Sequence, residues 1–367
     1  MSAKPENNKG AIPDKTVVCD TEKMLRRRMD PVIGILAAAV ILCALWLFIR
    51  QRSNLIEKRS NPENQTGMTI LPSTDAKVFS AEFQVMGTIA KVSVYSEKEL
   101  DLAARLCLQE FAKVEQMASL YHAASELSRL NASAGKAPFV CSAEMWQLLM
   151  RSKLAYEETD GNFDITVKPL MELWGFYRKR ETSPPDEEIS RVLKLVGFNK
   201  LKFDEEKRTV FFTVPGMALD LGGIAKGYAV DRAAEKLKEA GIGAGVIDLG
   251  GNLRMLDAPP PGKQFYRVAI RDPHKLDQVL PETLGVAPGK AVASSGDYER
   301  FVIYNGKRYG HIISPVNGRP GIVSAVTVVT ETAFDADVFS TGCALGGENI
   351  AKKIKEKYPD TEIYFTR

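Results

Sequence analysis

The stretch "TAFDADVFSTGCALGG", residues 332–347, sets Asp335, Asp337, Ser340 and Thr341 within seven residues of one another. In a helix, Asp337 and Thr341 share a face at i, i+4, so one carboxylate and one hydroxyl can reach the same hard cation. The same residues also suit the capped start of a helix that holds no metal. His311, one of three histidines in the chain, follows the alternating run "FVIYNGKRYG". Imidazole is the side chain suited to moving a proton near neutral pH, although a lone histidine at a strand end is equally a structural residue. In "DLGGIAKGYAVDRAAEKL", residues 220–237, a glycine pair and Lys226 precede an amphipathic helical pattern. Main-chain amides at such a junction serve either a tight turn or a phosphate, which the positive end of the helix dipole attracts.

These residues need a frame. Residues 101–120, "DLAARLCLQEFAKVEQMASL", bring Ala104, Cys107, Phe111, Val114 and Ala118 to one face at three- and four-residue spacing, which predicts a helix with one core side. The runs "AKVSVYS", "RTVFFTV", "YRVAIRD" and "FVIYNGKRYGHII" alternate as strands of mainly antiparallel sheets do. "VIDLGGNLRMLD" reads as a buried strand running into a glycine turn, and "GNFDITVKPLMELWGF" as a turn followed by a core helix. "ASSGDYERF" gathers small hydroxyl residues ahead of Tyr298 and Arg300, a composition suited to lining a polar ligand. In "FSAEFQVMGTIAKVSVYSEKE" a flexible thioether, Met86, stands beside Gly87 in an otherwise regular strand pattern.

Composition bounds the class. At 367 residues, 45% apolar and 26% charged, the chain is long enough for one large domain or two ordinary ones, and a net charge of +3 offers no footing for nucleic acid. Five separated cysteines form neither a CxxC pair nor a disulfide framework, and core burial is the expectation for them. The uncharged run "PVIGILAAAVILCALWLFI" is long enough, at about 1.5 Å per residue, to cross a hydrocarbon layer about 30 Å thick. It predicts a transmembrane helix over 30–50, after a cytoplasmic tail over 1–29 and before a polar linker over 51–77. The folded domain then occupies 78–367. A long polar lead and the lack of a small-x-small site disfavour a cleaved signal peptide, and Leu42 before Cys43 disfavours a lipid anchor. Five Lys or Arg over 11–30 against four over 50–69 do not decide the orientation.

In order, "MGT", "SELSRLN", "GNFDITVKPLMELWGF", "DLGGIAKGYAVD", "DLGGN", "SGDY", "HIISPVNGRP" and "DADVFSTGCALG" closely resemble the FAD:protein FMN transferase (ApbE-like) family, over about residues 80–365. The resemblance implies an α+β fold with two subdomains of mainly antiparallel sheet, flanked by helices, and a flavin cleft between them. It implies an enzyme that places the FMN half of FAD on a Ser or Thr of an acceptor protein through a phosphoester, releasing AMP with Mg²⁺. By the same resemblance His311 is the general base, and Met86, Tyr121, Asn162, Phe163, Asp164, Asp220, Lys226 and Ile312 contact FAD. Asp337, Thr341 and the Gly223 carbonyl hold Mg²⁺, with Ser340 a weaker neighbour. The family's habitual setting implies anchorage in a bacterial cytoplasmic membrane with the domain outside, and a membrane redox-chain subunit as acceptor. Two departures stand out: Ser314 replaces the acid of the family's usual His-x-x-Asp-Pro, and position 226, variable in the family, is Lys here. The alternatives are a protein that binds FAD without transferring it, and an FAD pyrophosphatase giving FMN and AMP.

Overall fold

The computed structural model describes residues 68–71, 76–275, 278–321 and 325–366. The expected cytoplasmic tail and the transmembrane helix over 30–50 lie outside the described residues. Among the described residues no helix is long and apolar enough to cross a membrane.

In chain order the elements are β1 (Met68–Leu71), β2 (Phe79–Val85), β3 (Thr88–Val94), α1 (Glu97–Ala118), α2 (Glu126–Ala132), β4 (Phe139–Val140), α3 (Ala143–Glu158), α4 (Lys168–Leu173) and α5 (Asp186–Leu193). There follow β5 (Leu201–Asp204), β6 (Thr209–Phe212), α6 (Ala225–Glu239), β7 (Gly245–Leu249), β8 (Asn252–Met255), β9 (Tyr266–Arg271), β10 (Val279–Val286) and β11 (Ala291–Gly296). The last are β12 (Phe301–Tyr304), β13 (Lys307–Gly310), β14 (Ala325–Thr330), α7 (Ala333–Lys357) and β15 (Glu362–Thr366).

A seven-stranded sheet in the order β15-β14-β11-β8-β7-β3-β2, antiparallel throughout, is the frame. Helices α1, α6 and α7 cover one face, and the antiparallel β1-β9-β10 sheet covers the other through Tyr266, Val268 and Val286. The inner strand β7 is buried along its whole length because both faces are covered: Ile247 and Leu249 join the helical core and Val246 the opposite one. A third cluster around Trp174 packs α4 and α5 against the β12–β13 hairpin.

The expected face of α1 is the buried one at Cys107, Phe111 and Val114, with Ala103 and Met117 rather than Ala104 and Ala118 at its ends. The linker expected over 51–77 is corrected near its C-terminal end. Met68–Leu71 pairs with β9, and Met68 is buried against Tyr266 and Val268. Four residues, "MTIL", are too few to raise a periodic signal inside a polar stretch. Cys107, Cys141 and Cys343 are free thiols in the core, and burial pushes Cys141 and Cys343 up to about 12.

The two helices that matter most for the site are locked together. Asp231 of α6 accepts from the main-chain N–H groups of Ala333 (2.8 Å) and Phe334 (2.9 Å), the free donors of the first turn of α7. Thr332 caps the same end by accepting from Asp335 N at 3.0 Å. At Gly227 the helices approach so closely that a Cβ there would stand 2.3 Å from the Ala333 carbonyl oxygen.

Candidate functional site

Asp337 lies one turn inside α7 and is 5% exposed. Its Oδ2 accepts from Gly227 N at 3.2 Å, which the close helix approach makes reachable. Lys226, on the first turn of α6, holds its Nζ 3.8 Å from the same oxygen. The Asn252 amide, at the start of β8, satisfies its neighbours only with its nitrogen turned to the carboxylate, and so oriented it bridges the pair by donating to Asp337 Oδ1 at 3.3 Å and accepting from Lys226 Nζ at 3.2 Å. Burial raises the Asp337 carboxyl above its ordinary range, and Lys226 pulls it back.

One helical turn on, Thr341 Oγ1 lies 3.1 Å from the Ser295 hydroxyl of β11. Ser340 turns inward: its hydroxyl is 2.8 Å from Ser295 Oγ and 3.0 Å from the Asp337 carbonyl, a packing contact between helix and sheet. Gly223 comes up beside Thr341, since a Cβ on it would stand 4.0 Å from Thr341 Oγ1 and 3.2 Å from the Phe163 ring. A carboxylate, a hydroxyl and a main-chain carbonyl drawn from Asp337, Thr341 and Gly223 are hard oxygen donors, the set Mg²⁺ takes together with phosphate oxygens and water. Among the described residues no cluster of three His, Cys, Asp or Glu side chains offers a softer alternative.

His311 follows β13 directly, and its main-chain N–H donates to the Arg300 carbonyl at 3.0 Å, which closes the hairpin base. Burial, assisted by the Lys226 and Arg300 cations, pulls the imidazole down to about 4, so the ring is neutral at pH 7. Glu299 stands two residues before the hairpin, with solvent-accessible surface on the residue while protein atoms crowd around its carboxyl. That desolvation raises Glu299 to about 7, Lys226 opposes the rise and Asp337 adds to it. Arg300 lies over the rings of Phe176 and Tyr177, at 5.7 and 5.6 Å from their centroids, and donates to the Phe176 carbonyl.

Tyr177 donates its hydroxyl to Asp220 Oδ2, and Gly222 N donates to Oδ1 at 2.7 Å. Burial and the neighbouring Asp220 charge hold the Tyr177 phenol far above its usual range. Asp220 thus fixes the glycine turn that leads into α6. Tyr121, 76% exposed after α1, is close enough to Tyr177 to add to that rise. Met86 and Gly87 form the two-residue turn between β2 and β3, with φ of 51° and 72°, the left-handed pair of a type I′ turn. Glycine answers that demand without cost, whereas Met86 holds a conformation that its side chain disfavours.

The segment 162–164 divides. Phe163 is buried beside Gly223, while Asn162 donates to the Thr159 carbonyl at 2.9 Å. Asp164 occupies both its oxygens internally, accepting from Thr166 N (2.8 Å), Thr166 Oγ1 (2.7 Å) and Phe198 N (3.0 Å), so its carboxylate secures the loop. Ile312 is half-buried, and its carbonyl accepts from Gly321 N at 2.9 Å. Ser314 accepts from Val316 N at 3.2 Å, the turn-closing bond that an aspartate there also makes. The structure therefore gathers Gly223, Lys226, Ser340, Thr341 and Asp337 directly. His311 joins them through the field of Lys226. Sequence reasoning missed Glu299, Asn252, Ser295 and Tyr177; the available signals were the position of Asn252 just after a glycine pair and that of Glu299 between Tyr298 and Arg300.

Compared with known proteins, the ApbE family matches residues 86–365. An FAD:protein FMN transferase from Klebsiella pneumoniae is 30% identical over 297 residues, 80% of this chain and 91% of that protein. One from Haemophilus influenzae is 31% identical, over 77% of this chain and 85% of its own length. Among solved structures, the ApbE protein of Thermotoga maritima superposes with a TM-score of 0.71 at 30% identity, covering 79% of this chain and 94% of that one. The flavin transferase ApbE of Vibrio cholerae gives 0.69 at 28% identity, covering 79% and 93%.

Proposed function

The chain belongs to the ApbE family, and from that premise we propose that it is an FAD:protein FMN transferase. It joins the FMN phosphorus of FAD to a Ser or Thr hydroxyl of an acceptor protein and releases AMP. The observation that carries this reading is the grouping of hard oxygen donors, Asp337 and Thr341 one helical turn apart with Gly223 beside Thr341, where Asp337 pairs with a lysine whose charge also reaches a neutral buried histidine. In the reaction the acceptor oxygen forms a bond to the FMN phosphorus and the bond from that phosphorus to the bridging oxygen breaks. The displaced oxygen leaves on AMP.

His311 is neutral at pH 7 and takes the proton of the acceptor hydroxyl, leaving a better nucleophile. Asp337, Thr341 and the Gly223 carbonyl would hold Mg²⁺, which supplies neutralisation of the phosphate charge during the transfer. Lys226 adds a second positive charge on the same side. Phe163 and Phe176 line the neighbourhood with apolar surface, which favours transfer over hydrolysis by excluding water. FAD lies in a cleft between the helix-covered large sheet and the Trp174 unit. There Met86 and Tyr121 pack against the flavin, and Asn162, Asp220 and Ile312 contact the nucleotide. Asp164 serves the same site indirectly, by shaping the loop that carries Phe163. Residues 30–50 anchor the enzyme in a bacterial cytoplasmic membrane with this domain outside, where a redox-chain subunit is the acceptor.

The test incubates the enzyme with FAD, Mg²⁺ and a candidate acceptor domain, and follows AMP release together with the acceptor's mass. A gain of the FMN mass in step with AMP supports the proposal. AMP without adduct points to an FAD pyrophosphatase, and FAD that binds but stays intact points to a flavin carrier.

A further inference from the structure

Three oxygens converge on one ammonium group. Lys226 Nζ lies 3.4 Å from the Gly222 carbonyl, 3.2 Å from the Asn252 side-chain oxygen and 3.8 Å from Asp337 Oδ2. A main-chain carbonyl, an amide oxygen and a carboxylate are donors that a hard divalent cation also takes. The partners differ in mobility. Asp337 is fixed from two sides, by Gly227 N at 3.2 Å and the Asn252 amide at 3.3 Å. Lys226 reaches the site on a flexible four-carbon stem.

A carboxylate buried as deeply as Asp337 is costly unless a positive charge compensates it. Lys226 supplies that charge from 3.8 Å. We propose that Lys226 is the resident counter-ion of Asp337, neutralising it while no divalent cation is bound and competing with the cation for the same carboxylate. The proposal rests on the reading of Asp337, Thr341 and Gly223 as cation ligands. Glu299 gives a displaced ammonium a second carboxylate to face, because the Lys226 charge already acts on it. Lysine at this position therefore holds the site together before the cation arrives and weakens the cation's grip once it does.

The test is Mg²⁺ binding to the full-length chain by calorimetry, with thermal unfolding recorded with and without Mg²⁺. Lys226→Met removes the charge and keeps most of the stem. It is expected to lower Tm without Mg²⁺ and to enlarge the Mg²⁺-induced rise. The Mg²⁺ Kd is expected to tighten about fivefold or more, the fold-change that a unit-charge interaction at about this separation is worth in bulk water. A Kd unchanged or weakened in a folded Lys226→Met protein overturns the proposal. Should that variant not fold, amine acetylation of the wild-type chain gives the same decision. Lys226 should be labelled several-fold faster with Mg²⁺ than without while other lysines are unaffected, and a rate unchanged or slowed overturns the proposal. Asp337→Asn separates the two levels: if wild type binds Mg²⁺ no better than this variant, the cation reading falls and the counter-ion role with it. Mg²⁺ bound by wild type with an unaltered Kd in Lys226→Met removes the counter-ion role alone.

Discussion

The imidazole of His311 meets the Phe176 ring edge-on, with ring centroids 6.5 Å apart and planes at 68°. Among the described residues nothing hydrogen-bonds its buried Nδ1. A buried polar atom without a partner is uncommon in a folded protein and is tolerated where a ligand or water completes it. His311→Gln is therefore expected to slow FMN transfer by about 10²- to 10⁴-fold, the usual range for a general base, while FAD still binds. Transfer rates at saturating FAD and flavin-fluorescence titration separate the two effects; wild-type transfer by the variant would remove His311 from the chemistry.

His311 and Glu299 push stability in opposite directions as pH changes. The histidine sits at about 4 in the fold against 6.5 in the unfolded chain. The unfolded chain thus binds more protons between these values, and stability falls as pH drops from 6.5 towards 4. Glu299 sits at about 7 against 4.5, so the folded chain binds more protons and stability falls as pH rises from 4.5 towards 7. Their slopes oppose each other between pH 4.5 and 6.5. Glu299→Gln is expected to raise Tm at pH 8 relative to its effect at pH 4.5, and His311→Gln to raise Tm at pH 4.5 relative to pH 8. Parallel Tm profiles for wild type and both variants would show that neither group is shifted as described.

Replacing Asp337 by Asn keeps the size of the side chain and removes its charge. AMP release in Mg²⁺ is expected to fall about 100-fold or more, the scale on which loss of one preorganised charged contact acts. Raising Mg²⁺ tenfold should restore part of the rate if the loss lies in cation binding, and a rate that ignores Mg²⁺ in both proteins would rule out that role.

Gly227→Ala tests the helix contact. The added methyl would meet the Ala333 carbonyl carbon and oxygen at 2.7 and 2.3 Å, both of them backbone atoms of a capped helix end. The expected destabilisation is about 1–3 kcal/mol, with a larger loss of transfer than the Tm change explains because the Gly227 N–H would no longer meet Asp337. An unchanged Tm would mean that the helices separate easily there.

Met86→Asn tests strain against use. Asparagine tolerates the left-handed turn better than methionine, so the variant should be more stable by about 1 kcal/mol, and FAD affinity should fall because the thioether is gone. Higher Tm with unchanged FAD affinity would show that the side chain has no part in binding.

Much of this architecture was legible in the chain because periodic patterns were long. The core stripe of α1 and the two-sided burial of β7 follow from spacing alone. Asp337 and Thr341 could be paired beforehand because both lie on one helix. Asn252 and Glu299 could not, since each reaches Asp337 or Lys226 across the fold, and no local period marks a residue whose partners are distant. Asp164 shows the converse difficulty: a carboxylate in a glycine-rich turn looks available until the Phe198 amide, 34 residues away, is seen to occupy it. β1 escaped notice because its four residues make sense only against β9.

The cap that Asp231 places on α7 also governs when the site comes into being during synthesis. Lys226 and Asp337 lie 111 positions apart, the 110 between Gly227 and Asp337 plus one, and the first turn of α7 needs the Asp231 carboxylate to satisfy its free amides. A nascent chain emerging from the ribosome therefore carries the lysine long before it can display the aspartate in place. Any product that stops short of α7 lacks the whole carboxylate half. Under the proposed function, a chain without Asp337 and Thr341 is expected to transfer no FMN, so the activity would begin only once α7 has docked.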